Sequence, residues 1–367
     1  MNIKDKIVEK ENRFINRVME SERGGYKTYV YGDGLGGKRV RRQLDLHGVQ
    51  YDGTVVNRRY WNGSADSICL EKLLEETEEQ INLIIAFRGY RPESLDVYKD
   101  RINEVIDMDC WAGMEISEEQ EELTYEWLTT KAETFQNVFD MLEDELSQET
   151  FLAYLNQKIS LDYKYLHNVR QPYQYFDEEI NKMSEHEVFV DCGAYNGDSA
   201  VDFIHALHRR GYEQYDEIIS FEPDPENFER LMARGLKNHT CIQKGVGSQR
   251  KTLFLSQGGT SSKCAEGGEI GVEIDSIDYV MNGRRVTMIK MDIEGAELDA
   301  LYGAKNTIRK YKPLLAICVY HKREDMLTIP QYIKSIVPEY RFFLRAYEKT
   351  ATELVLYAVC DVIDLIV

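Results

Sequence analysis

The stretch His186–Ile204, HEVFVDCGAYNGDSAVDFI, changes its period in the middle. Val188, Phe189 and Val190 make a short β-branched and aromatic run that stops at Asp191-Cys192-Gly193, the pattern of a buried strand ending in a turn. Past Gly197, Ala200, Val201, Ile204, Leu207 and His208 recur at helical spacing. The seam is therefore strand, glycine turn and helix N-terminus, the place where open α/β sheets hold cofactors. An acid in that seam narrows the ligand. Asp191 repels a pyrophosphate but favours an ammonium or sulfonium, and Gly193 and Gly197 let a ligand approach the backbone closely.

Working outward, a regular alternation of strands and helices follows. Strands are expected at Val188–Val190, Glu217–Phe221, Cys241–Val246, Thr287–Met291, Leu314–Tyr320, Tyr340–Leu344 and Glu353–Val359. Only RAYEKTAT separates the last two, so they read as a hairpin at the end of a parallel sheet. Asp224-Pro225 supplies an N-cap and a first-turn proline. Glu222 ends the second strand, where such folds accept ribose hydroxyls on a carboxylate. An adenosine bearing an amino acid and a positive sulfur meets these demands, so S-adenosylmethionine is the expected cofactor, with Asp191, Gly193, Gly197, Glu222, Pro223 and Val246 as its binding residues.

Four stretches of this half resemble the FkbM family of S-adenosylmethionine-dependent methyltransferases: FVDCGAYNGDS, SFEPDPENFERL, MIKMDIEGAELDALYGA and KPLLAICVYH. The Asp-Ile-Glu-Gly-Ala-Glu run is the most specific of them. The resemblance runs from about Glu187 to the end and implies a class I methyltransferase (Rossmann-like) fold. It also implies methylation of a hydroxyl on a sugar or natural product.

A hydroxyl must lose its proton before it accepts a methyl group. Asp292 follows one apolar strand and His321 ends the next, so adjacent strands present both at one rim, and histidine has the better ordinary pKa for a base. Glu294 joins them as a third catalytic candidate. The three carboxylates Asp292, Glu294 and Glu297, with His321 nearby, could instead bind a divalent metal ion, with Asp292 and Glu294 as its foremost candidate ligands. Taken alone, Glu297 reads as a helix-start acid favoured by the dipole, and Lys290 and Lys322 as neutralising neighbours. Gln257–Gly268, rich in glycine and serine, reads as a mobile loop.

The first part of the chain has its own alternation of strands and helices, with Gly32-Asp33-Gly34-Leu35-Gly36-Gly37 after an apolar strand, a full GxGxxG. No acid follows the second strand. Arg58 and Arg59 stand there instead, so Gly32, Gly34, Gly37, Arg58 and Arg59 are the candidate site for a phosphorylated ligand, against the alternative of a degenerate unit kept for packing or dimerisation. The expected organisation is a Rossmann-like domain over 1–112, a helical, acidic and tyrosine-rich connector over 113–184, and a methyltransferase domain over 185–367. In the connector, Ser117–Gln120 forms a capping box, and Phe135, Val138, Phe139, Leu142 and Leu146 mark one helical face. Its tyrosine-rich segment, 161–176, reads as a linker, a lid or a substrate wall.

Composition sets outer limits. The chain has 367 residues and a net charge of −19, which argues against nucleic acid or an anionic membrane surface as main partner. Seven cysteines lie singly, without zinc-like spacing, and no apolar run is long enough for a membrane span, so a cytoplasmic location is expected. The expected activity is S-adenosylmethionine-dependent O-methylation of a small-molecule or glycan substrate, with a homo-oligomer left open. Its rivals are a non-catalytic nucleotide- or sugar-binding scaffold and a nicotinamide-dependent oxidoreductase built on Gly32–Gly37.

Overall fold

The computed structural model describes residues 2–107, 121–255 and 270–360. The expected capping box at 117–120 and the loop at 257–268 lie outside the described residues. The chain divides into two compact units, one formed by residues 1–132, 151–169 and 348–352, the other by 133–150, 170–347 and 353–367. Residues 113–184 are thus shared between the units, and helix Glu145–Ser160 contributes to both.

The first unit is a five-stranded parallel sheet of β1 (Lys27–Tyr31), β2 (Gly53–Val56), β3 (Ile68–Cys69), β4 (Ile81–Ile85) and β5 (Ile102–Ile106), in the order β3-β2-β1-β4-β5. The two-residue β3 escapes a reading by apolar runs. Alternation along the strands splits the core in two. Val30 and Ile84 point to one face with Val40 and Leu44 of helix Leu35–Leu46, while Tyr29, Tyr31, Leu83 and Ile85 point to the other with Leu70 and Leu74. Both faces are covered, as parallel sheets require.

The second unit contains β6 (Val188–Cys192), β7 (Glu217–Phe221), β8 (His239–Ile242), β9 (Gly245–Val246), β10 (Lys251–Leu255), β11 (Ile270–Asp275), β12 (Met288–Met291), β13 (Leu314–Cys318), β14 (Arg341–Ala346) and β15 (Leu354–Val359). Seven of them form one sheet, β14-β15-β13-β12-β6-β7-β8, in which β15 runs antiparallel to β13 and β14. The order reverses between β6 and β12. That switch opens a crevice outside the strand ends, where doubly wound sheets bind ligands.

Two local expectations are corrected. Cys241–Val246 is not one strand: the chain bends after Ile242, and β9 pairs with β11 in a separate three-stranded sheet with β10. Phe135–Leu146 is not one helix. Helix Ala132–Met141 ends, Leu142 bridges to Phe342, and helix Glu145–Ser160 begins with Asp144 accepting from the Ser147 backbone N–H. Among the described residues, no helix is long and apolar enough to cross a membrane.

Candidate functional site

The glycine turn after β6 is built for close approach. Gly193 has φ +80°, and a Cβ there would stand 1.9 Å from the carbonyl oxygen of Asp292, so the turn and the end of β12 touch through backbone alone. Gly197 has φ +83° and caps helix Asp198–Arg209 without a side-chain bond. Both positions need glycine. The turn is tied to the next strand by Gly193 and Ala194 N–H groups donating to Phe221 O, and by Tyr195 N–H donating to Glu222 at 2.8 Å. Glu222 also accepts from Asp224 N–H at 2.9 Å, so its carboxylate is fixed at the crevice edge with lone pairs to spare for hydroxyls. These features fit the adenosine and amino-acid parts of S-adenosylmethionine. Pro223 follows Glu222 at the half-buried strand end, whereas Val246 sits buried in β9, in register with Asp275 of the smaller sheet.

Asp191 has a different place from the one its sequence context suggests. It is fully buried and directly opposite Lys290 of β12, whose Nζ lies 3.1 Å from its Oδ1 and donates to Gly193 O at 2.7 Å. Its charge is spent inside the protein. Burial disfavours a charged Lys290, yet Asp191 and Asp292 outweigh it and hold the ammonium protonated well above the usual lysine range. Asp191 thus supports the turn from below, through Lys290, rather than meeting a cation across it.

Asp292 and His321 do meet. His321 Nε2 lies 3.5 Å from Asp292 Oδ1. Asp292 also accepts from Tyr175 at 3.0 Å and Tyr320 at 3.2 Å. Burial opposes its ionisation, but Lys290, His321 and the two hydroxyls keep its carboxyl below the usual aspartate range. Glu297 is no ordinary helix-start acid: it is fully buried, its Oε1 accepts Ile293 N–H at 2.8 Å and stands 3.0 Å from His321 Nδ1, fixing the ring. Glu294 is peripheral. Its side chain is half exposed and 3.9 Å from His321 Nε2, on a left-handed turn residue (φ 56°) ahead of Gly295. Burial alone would favour neutral His321, but Glu297, Asp292 and Glu294 push it up to about 9, so the imidazole is charged at neutral pH and not poised near 7.

Reading the sequence missed two contributors, Tyr175 and Glu353, and the orienting role of a third, Glu297. Tyr175 comes from the tyrosine-rich segment and is buried against Asp292, to which it donates a hydrogen bond. Glu297 orients His321. Glu353, bonded by Gln174, is raised to about 7 by burial and by Asp292. Only Tyr175 carried a signal, the clustering of tyrosines. The candidate metal pair changes too: Asp292, Glu297 and His321 bring ligand atoms within 4.8 Å of one another, with Glu297 in the place expected of Glu294.

In the first unit the glycines and arginines part company. Gly32 (φ +124°) packs on Ala86 and Phe87, and a Cβ on Gly37 would stand 2.0 Å from Gly32 O, so these two let helix and strand approach. Gly34 is the N-cap of helix Leu35–Leu46. Arg58 and Arg59, by contrast, line a cleft of about 870 Å³.

Residues 191–348 match the family described as Methyltransferase FkbM domain. The crystal structure of methyltransferase FkbM from Methylobacillus flagellatus KT superposes with a TM-score of 0.70 at 22% identity, covering 96% of this chain and 94% of that one. An rRNA methylase from Streptococcus thermophilus gives 0.33 at 13% identity, over 51% of this chain and 93% of the other. The plantazolicin methyltransferase BamL, solved with SAH, gives 0.27 at 11%, over 63% and 91%. No curated protein sequence matches.

Proposed function

The second unit carries a methyltransferase FkbM domain on a class I methyltransferase fold, and from that premise we propose an S-adenosylmethionine-dependent O-methyltransferase acting on a hydroxyl of a sugar or glycan precursor. The observation that carries the reading is the convergence of Asp292 and His321 at adjacent strand ends beside the Gly193 turn. When bound, S-adenosylmethionine supplies the methyl group. Gly193 and Gly197 leave backbone open to it, and Glu222 accepts its ribose hydroxyls.

Asp292, anchored by Tyr175 and Tyr320, is a fixed acceptor that orients the substrate O–H. Alignment matters most, because an in-line displacement needs the oxygen held at near-attack distance. His321 then takes the hydroxyl proton at Nε2, with Glu297 holding Nδ1. It does so only after losing its own proton, so the neutral imidazole is the active form.

Incubating the chain with methyl-labelled S-adenosylmethionine and a panel of sugars, sugar phosphates and sugar nucleotides tests this. Alkali-stable label on an acceptor hydroxyl is the expected result, while alkali-labile label released as methanol marks a carboxyl ester and contradicts it. One observation favours a metal-assisted variant: the Asp292, Glu297 and His321 set offers the oxygen and nitrogen donors a divalent ion takes. Activity abolished by chelator and restored by magnesium or manganese selects that variant. Indifference to chelator selects the metal-free base.

A further inference from the structure

We propose that the cleft of the first unit binds a nucleoside diphosphate, free or joined to a sugar, with its phosphates on arginine side chains. The cleft lies at the carboxyl ends of β1, β2 and β4, beside the point where the strand order β3-β2-β1-β4-β5 reverses. That is where an open parallel sheet leaves a crevice for a ligand. At about 870 Å³ it falls within the range of small-molecule sites.

Its lining has three kinds of chemistry. Arg58 and Arg59 follow β2 and Arg91 follows β4, so cations converge in a chain whose net charge is −19. These guanidinium groups are available: all three residues are exposed, Arg58 shares only a 3.2 Å surface pair with Glu75, Arg59 lies over the Tyr60 ring, and Arg91 has no ion-pair partner among the described residues. Arginine is the side chain suited to bidentate phosphate contact. Tyr31, Phe87 and Tyr90 form a second group, packed edge to face at 4.8 and 6.3 Å, an aromatic wall for a base or sugar ring.

The third is Glu71. The chain has no acid immediately after β2, but Glu71, on helix Leu70–Glu76, reaches that strand end and accepts Arg58 N–H at 2.7 Å and Asn57 Nδ2 at 3.4 Å. Burial would raise its carboxyl, but hydrogen bonds from its own backbone N–H, from that of Arg58 and from the Cys69 and Asn57 side chains hold it below the usual glutamate range, so it stands ionised where such folds accept a ribose diol. The phosphates belong on the arginines and not on the glycine turn. Asp33 stands in that turn, held at 3.0 Å by Arg41, and repels a pyrophosphate there. This arrangement disfavours a nicotinamide dinucleotide laid across the motif.

Isothermal titration of the full chain, with S-adenosylhomocysteine saturating the second unit, tests the proposal. The probes are UDP, GDP, ADP, UDP-glucose, GDP-mannose, NADPH and inorganic phosphate. At least one nucleoside diphosphate or its sugar conjugate should bind saturably, and whichever of the two binds tighter identifies the source. Its affinity should fall at least tenfold in Arg58→Gln/Arg91→Gln and also in Glu71→Gln, and should weaken with salt. The arginines are exposed, so an unchanged melting temperature of the double variant shows that folding is intact. The proposal is overturned if no nucleotide saturates by millimolar concentration, if phosphate alone or NADPH binds as tightly, or if binding ignores the arginine variants. None of these outcomes depends on methyl transfer by the second unit.

Discussion

Asp191 and Lys290 face each other across neighbouring strands, and each makes the other tolerable in the interior. Asp191→Ala or Lys290→Met should each cost about 3–5 kcal/mol in denaturant unfolding, because the remaining buried group loses the charge that directly faces it, and the double variant should cost less than either. Additive losses would contradict the pairing. At His321 the sign of the shift decides the pH profile. The folded value, about 9, lies above the ordinary 6.5, so its contribution to stability is fully present below about pH 6.5 and is lost as pH rises through about 9. The same proton blocks its use as a base. kcat/KM should rise through about pH 9, and His321→Gln should lose that rise together with about 10²- to 10⁴-fold in kcat. The residues of this rim were legible as types because each ends an apolar strand. Their partners were not: Tyr175 lies 117 residues from Asp292 in sequence, and no local pattern brings them together.

At the scale of elements, helix starts and strand ends carry the account. Asp224 was legible as an N-cap, since Asp-Pro before an amphipathic run has a local cause, and it accepts from Asn227 N–H at 2.9 Å. Asp144 was not legible. It caps helix Glu145–Ser160 and pairs with Arg345 of β14 at 2.6 Å, and Arg345 is almost fully buried. Asp144→Ala should destabilise by about 3 kcal/mol or more, since the buried guanidinium then keeps Asp177 at 3.5 Å as its charged partner, beside the neutral acceptors Ser147 Oγ and Leu344 O. Asp144→Asn should keep the cap and recover part of the loss. Arg345 holds the Asp144 carboxyl below its usual value, against the effect of burial, so this stabilisation is present above about pH 4 and lost as pH falls through the lower folded value. An acid titration of the Asn variant should lack that component. Helix periodicity continues straight through 135–146; it takes the tertiary bridge from Leu142 to Phe342 to break it.

At the scale of the whole molecule, six of the seven strands of the large sheet, the closing hairpin among them, were legible as apolar runs bounded by turn residues, whereas β8, the half-exposed His239–Ile242, was read in the wrong place and run together with β9. The strand order and the small sheet that captures Val246 follow from packing, which a linear pattern does not carry. Binding to the native state adds stability by mass action, about 2.7 kcal/mol at a hundredfold excess over Kd, so S-adenosylhomocysteine should raise the melting temperature of the full chain. The most direct test of the central claim is calorimetric titration of S-adenosylhomocysteine into the wild-type chain and into Glu222→Ala. Saturable one-to-one binding in the wild type, weakened at least tenfold in the variant, is the predicted result; no binding up to millimolar ligand, or equal affinity in both, would contradict the assignment of the cofactor site to the crevice at the β6–β12 switch, with Glu222 at its edge.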